Sequence, residues 1–189
     1  RPSDGRGDWP HSSPAAPTRC PMSFTENQRP STQAEVLEAF VAFLRAEFSD
    51  WDSTAIYWTD LEIPPTDSNL SKFITVHAGG GQFDAGALDG GECCLEDASI
   101  AVKIWRRSEI DQRGHADSSL LQADEGLMKL KQRVLRALKG KMLRDGDGAQ
   151  IAFSTVHPVA AGEPSMGDEQ HPLDTLALAF AVKFEWDLS

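Results

Sequence analysis

The chain has 189 residues, a mass of 20.6 kDa, 40% hydrophobic residues and a formal net charge of −11. That length suits one ordinary domain with tails. No run approaches the roughly 20 consecutive apolar residues of a spanning helix, so no membrane partner is expected. The acidic balance argues against sequence-specific nucleic-acid binding, which needs clustered Lys and Arg for the phosphates.

The charge is nonetheless uneven. Lys129, Lys131, Arg133, Arg136, Lys139, Lys141 and Arg144 fall in one short run. Such asymmetry suits a body whose faces meet different partners. Taken alone, the run better suits a solvated helix face with cations toward its C-terminus, where the helix dipole favours them. Three cysteines make an odd count, and Cys93 and Cys94 are adjacent, a poor geometry for a structural disulfide. A reducing compartment is the simplest inference, and the first residues lack the basic-then-apolar pattern of a secretory signal.

Residues 1–31 are rich in Pro, Ser, Gly and Arg and read as a disordered or extended arm, with Met22 a plausible start of translation. Arg6-Gly7-Asp8 spells an integrin-recognition tripeptide, which three residues match often by chance. Residues 32–189 read as a single α+β domain. Thr32 and Glu35 have the spacing of a capping box, and Leu37, Phe40, Val41, Leu44 and Phe48 recur at helical spacing behind it. Residues 54–58 form a short strand candidate, and Pro64-Pro65 marks the next stretch as a loop. Residues 72–78 alternate, with Phe73, Thr75 and His77 on one face and Ile74, Val76 and Ala78 on the other.

A Gly-rich insertion follows at about residues 79–97. It lacks the Lys-Ser/Thr ending of a phosphate loop and the glycine spacing of a dinucleotide site, so it reads as a long hairpin loop. Residues 98–106 alternate again, with Ile100, Val102 and Ile104 opposite Ala101, Lys103 and Trp105. Residues 120–138 predict a second helix with the stripe Leu127, Leu130, Val134 and Leu138, capped by Asp117 or Ser118 and stopped by Gly140. Residues 150–156 predict a strand, 157–171 an acidic loop, and 175–186 a long strand presenting Leu176, Leu178, Phe180, Val182, Phe184 and Trp186 on one face. This order predicts an antiparallel or mixed sheet with two main helices on one face. The last strand is expected to be central or to reach a neighbouring subunit.

Chemistry is sparse. His11, His77, His115, His157 and His171 show no metal-ligand spacing, although His157 and His171 flank one loop that also holds Asp168 and Glu169. No serine sits in a nucleophile elbow. Cys93 and Cys94 lie among Glu92, Glu96 and Asp97, which raise a thiol pKa rather than lower it. The expectation is a protein without catalytic residues, cofactor or metal, working through contacts with other subunits.

The layout resembles that of tail terminator (tail-completion) proteins of long-tailed bacteriophages. The resemblance is carried by the helix at residues 32–48, the strand Ile100-Ala-Val-Lys-Ile-Trp105, the helix at residues 125–139, the strand opened by Gly148-Ala-Gln-Ile151, and the final strand Leu176 to Trp186. It covers about residues 32–188; the Gly-rich insertion and the arm depart from the compact family pattern. It implies a virion protein of the tail–neck region, assembled in the host cytoplasm as a homo-oligomeric ring, usually hexameric. Such a ring caps the tail tube and partners the tail tube protein and a neck or connector protein. The expected ring contacts are Leu127, Leu130 and Val134 on the second helix and Leu178, Phe180 and Phe184 on the last strand. The alternatives are another head–tail connector or adaptor protein, or a stand-alone α+β ligand-binding domain or enzyme with a pocket between sheet and helices near His77 and Trp105.

Overall fold

The structure is a computed structural model, and it describes residues 29–60, 70–83, 94–107, 126–167 and 173–186. Helix α1, Gln33–Glu47, begins where the capping box expects it. The Thr32 hydroxyl accepts the Glu35 N–H at 3.3 Å, and the Glu35 carboxylate accepts the Thr32 N–H at 2.8 Å. Two otherwise orphaned donors are thus satisfied at the helix start. Its stripe of Val36, Leu37, Phe40, Val41 and Leu44 is buried. A single 3-10 turn, Ser53–Ala55, follows, then strand β1, Ile56–Trp58.

The remaining elements are β2 (Lys72–Phe83), β3 (Leu95–Arg107), helix α2 (Leu127–Leu138), β4 (His157–Ala161) and β5 (Leu173–Glu185). They build one five-stranded sheet in the order β1-β2-β3-β5-β4. Among the described strands the β1–β2 pair is parallel and the other three pairs are antiparallel. The sheet is therefore mixed and the fold is α+β. Ile74, Val76, Ile100, Val102, Ile104, Leu176, Leu178, Phe180 and Val182 point to the same face and pack with both helices in one core cluster. The period of two along β3 and β5 makes this face, because alternate side chains in a strand leave on opposite sides.

The Gly-rich insertion is not all loop. β2 runs on through Gly79, Gly80 and Gly81 to Phe83, and pairs with Glu96–Ala98 of β3 across a bulge between Ala78 and Gly81. Glycine suits this stretch for lack of room: a Cβ on Gly79 would stand 2.5 Å from the Ser99 carbonyl oxygen. α2 starts at Leu127, with Gly126 as an N-cap that contributes no side-chain bond; the expected cap at Asp117 or Ser118 lies outside the described residues.

The strand expected at residues 150–156 is replaced by an irregular segment. It is tied down by backbone bonds from Ile151 N–H to Leu143 O, from Phe153 N–H to Lys183 O and from Val156 N–H to Lys141 O. Ile151, Ala152 and Val156 are buried, which is not an alternating pattern. The strand comes later, at His157–Ala161, within the stretch expected to be a loop. β5 lies between β3 and β4, so both of its hydrogen-bonding edges are used inside the subunit. Of the arm, only its end is described: Arg29 N–H donates to Gln150 O at 3.1 Å and Ser31 N–H to Glu185 O at 2.8 Å. Among the described residues no helix is long and apolar enough to cross a membrane.

Candidate functional site

The six residues expected at subunit contacts are buried in the single subunit. Leu127, Leu130, Val134, Phe180 and Phe184 are fully buried and Leu178 is 2% exposed, all within the core of the single subunit. Phe180 meets Phe40 of α1 edge to face, with ring centroids 6.1 Å apart. These side chains are occupied by the subunit's own helices and sheet. Any ring contact made through α2 or β5 must use their exposed neighbours. The pattern that flagged the six was apolar periodicity, which reports burial without saying against what.

His77 and Trp105 do not line a space between sheet and helices either. Trp105 shares with Phe73 the sheet face away from the helices, their rings stacked at 5.7 Å. On that face the Trp105 Nε1–H donates to Thr75 Oγ1 at 2.9 Å, and Thr75 Oγ1 lies 2.7 Å from His77 Nε2. This buried polar chain satisfies its members and pins β2 to β3. His157 is exposed and bonds Thr155 Oγ1 at 3.0 Å. Asp168, Glu169, His171 and Cys93 lie outside the described residues, and Cys94 is a free, half-buried thiol. Among the described residues no group of three or more His, Cys, Asp or Glu is placed to hold a metal ion.

What the surface offers is two unlike ends of one sheet. At one end, β1 exposes Trp58 by 44%. Beside it Glu38, Val41, Ala42 and Arg45 of α1, with Tyr57 and Trp58, line an open depression of ≈ 400 Å³. Arg45 reaches over to donate to the Ile56 carbonyl at 2.8 and 3.1 Å, which ties the helix to the strand. Burial raises the Tyr57 hydroxyl above its usual pKa. At the other end, all five residues of β4 are exposed, Val159 by 59%.

The basic run splits in two. Arg133 and Arg136 face α1: Arg133 bonds Asp50 at 2.5 Å and the Glu47 carbonyl at 2.8 Å, and Arg136 bonds Glu47 at 3.3 Å. The Arg133 guanidinium also lies over the Phe48 ring and holds the Asp50 carboxyl below its ordinary pKa. Lys129, Lys139 and Lys141 are exposed. Sequence reasoning found the basic run but not this division, which depends on where α1 lies. Met128 is a large apolar residue off the buried stripe of α2, whereas Trp58 shares the face of buried Ile56 and is exposed at the end of β1, so neither is marked out by periodicity.

No family model and no curated protein matches the chain. Among solved structures, a chain from the virion of a native gene transfer agent particle is similar to it at 15% identity and a TM-score of 0.39, over 82% of this chain and 99% of that one. The class defined by fold and surface together is an α+β domain, a mixed sheet covered on one face by two helices, with two different exposed ends.

Proposed function

We propose that the chain is a structural virion subunit, without catalytic function, that closes with copies of itself into a ring. The ring caps a phage-type tail tube and offers a surface to the neck or connector. The observation that carries the self-assembly reading is the pair of unlike sheet ends, each with a large exposed apolar side chain, Trp58 at one and Val159 at the other. A contact between unlike surfaces repeats from subunit to subunit and closes into a ring when the rotation per step divides a full turn. Exposed strand edges recruit further strands unless they are blocked or used.

The tail-terminator part of the reading rests on the order of elements: helix, strands, helix and long final strand. Acidic surface facing the lumen of such a ring keeps passing DNA from sticking. The test is absolute mass in solution, by light scattering coupled to size exclusion, over a range of concentration and salt. A discrete species near six times 20.6 kDa is the expected result. A strict monomer under every condition refutes the ring, and a melting temperature that then rises with a small ligand points to a stand-alone binding domain.

A further inference from the structure

We infer that copies of this chain join through the two outer flanks of the helix layer: the Met128, Lys131 and Lys139 flank of α2 in one copy meets the Glu38, Trp58 and Asp60 flank beside α1 and β1 in the next. This rests on the ring reading; it keeps Trp58 on one side of the contact and puts the outer flank of α2, in place of the β4 edge, on the other.

α1 packs over β1 and β2, and α2 over β3 and β5, so each helix turns one flank to its neighbour and the other outward. Successive helical residues step about 100° round the axis. In α2, Arg133 and Arg136 mark the flank toward α1, through their bonds to Asp50 and Glu47. On the opposite flank of the wheel lie Met128, Lys131 and Leu135, and the C-cap residue Lys139 follows them. Met128 is 41% exposed, Lys131 and Leu135 are half-buried and Lys139 is exposed. In α1, Glu47 marks the side toward α2, and Glu38, Val41 and Arg45 mark the side toward β1, where they line the depression beside Trp58.

The two flanks therefore stand at opposite ends of one layer, the arrangement a head-to-tail ring requires. Their chemistry is complementary. One carries the exposed Met128 thioether at the head of a row that holds Lys131 and ends at Lys139. The other carries the exposed Trp58 indole, with Glu38 lining the same depression, Asp60 two residues further on, and the Arg45 guanidinium turned to the Ile56 carbonyl. Among the described residues, neither those lysines nor those carboxylates are ion-paired within the subunit. Lysine over an indole face adds a cation–π attraction, and sulfur beside an aromatic edge is favourable. Tryptophan is also among the residues most often central to interfaces.

A second copy supplies the required acidity. Seven of the 18 basic residues and none of the 29 acidic ones lie in residues 129–144, which leaves the rest of the chain at −18. The remainder of a second copy is thus net acidic, which favours its approach to the basic flank. Opposite potentials steer encounter and fix the register, whereas like charges across a contact oppose it.

The test is a charge swap. Lys131→Glu with Lys139→Glu makes both flanks acidic; Glu38→Lys with Asp60→Lys makes both basic. Each double variant alone should stay monomeric where the wild type forms its ring, with assembly weakened on the order of a hundredfold. An equimolar mixture should restore the ring mass with alternating copies. All four positions are at least partly exposed, so unchanged circular dichroism and melting are expected; should a reversal unfold the chain, Met128→Ser and Trp58→Ser probe the same contact without altering charge. A ring that persists in either variant alone, or a mixture of folded variants that stays monomeric, overturns this contact and leaves the ring reading standing. A wild type that is monomeric under every condition overturns both.

Discussion

Truncating Phe180 to Ala distinguishes a residue of the subunit's own core from one that faces a neighbouring copy. Its side chain is fully buried and lies edge to face against Phe40 of α1, in the core between sheet and helices. Deleting a buried phenylalanine removes transfer free energy and leaves a cavity that close-packed neighbours fill only in part, at a cost of about 3–5 kcal/mol. The aromatic pair, roughly 0.5–1.5 kcal/mol beyond area burial, is lost as well and lies within that range. For a domain of this size about 1 kcal/mol moves the melting temperature by roughly 2–4 °C, so a fall of about 6–20 °C is expected. Equilibrium denaturation should be run at a protein concentration where only monomer is present, since association stabilises the folded state by mass action. A monomer destabilised by less than about 1 kcal/mol, together with loss of the assembled species, would mean that Phe180 faces a neighbour and does not belong to the core around Phe40.

Two further predictions concern the edges of the domain. Arg29 donates to Glu35 at 2.5 Å and to Asp145 at 2.9 Å, and these bonds lower both carboxyls from their ordinary 4.5 and 3.8. Groups with depressed folded-state pKa values contribute stability that is present above those ordinary values and lost as pH falls through the folded ones. Arg29→Ala should therefore lower stability near neutral pH and flatten the acid side of the stability–pH curve, read by denaturation between about pH 2 and 6; an unchanged acid limb would exclude the clamp. Gly79→Ala places a methyl group against the Ser99 backbone carbonyl, which cannot swing aside as a side chain can, and should cost roughly 1–3 kcal/mol. Gly80→Ala meets nothing within 4 Å and serves as the control; equal effects of the two would refute the close-approach account.

The long elements were legible because each repeats one physical signal many times. β5 carries apolar residues at a sustained period of two, and α1 carries both halves of a capping box ahead of a helical stripe, so each local cue agrees with the next. β4 was not legible. His157-Pro-Val-Ala-Ala is exposed at all five positions and pairs on one side only, so burial leaves no alternation to read. Residues 150–156 misled for the converse reason. Their alternating letters suggested a ladder, but the segment is held by single backbone bonds to Leu143, Lys141 and Lys183, and it buries Ile151 and Ala152 in succession.

The candidate contact was less legible than the fold, and the cause is general. Periodicity finds the positions that must leave water, and in a subunit this size most of them are covered by the subunit itself. Leu130, Val134 and Phe180 are the strongest periodic positions and for that reason the deepest in the core. A contact between folded copies is made by what remains outside after the core has closed, so its residues are exceptions to the pattern. Trp58 stands at the end of a three-residue strand and Met128 lies one position past the start of the buried stripe of α2. Neither is unusual in the sequence alone. Once α1 is fixed over β1 and α2 over β5, the two fall on opposite flanks, one beside carboxylates and the other beside lysines. The folded structure thus turns two ordinary residues into the ends of a candidate head-to-tail contact.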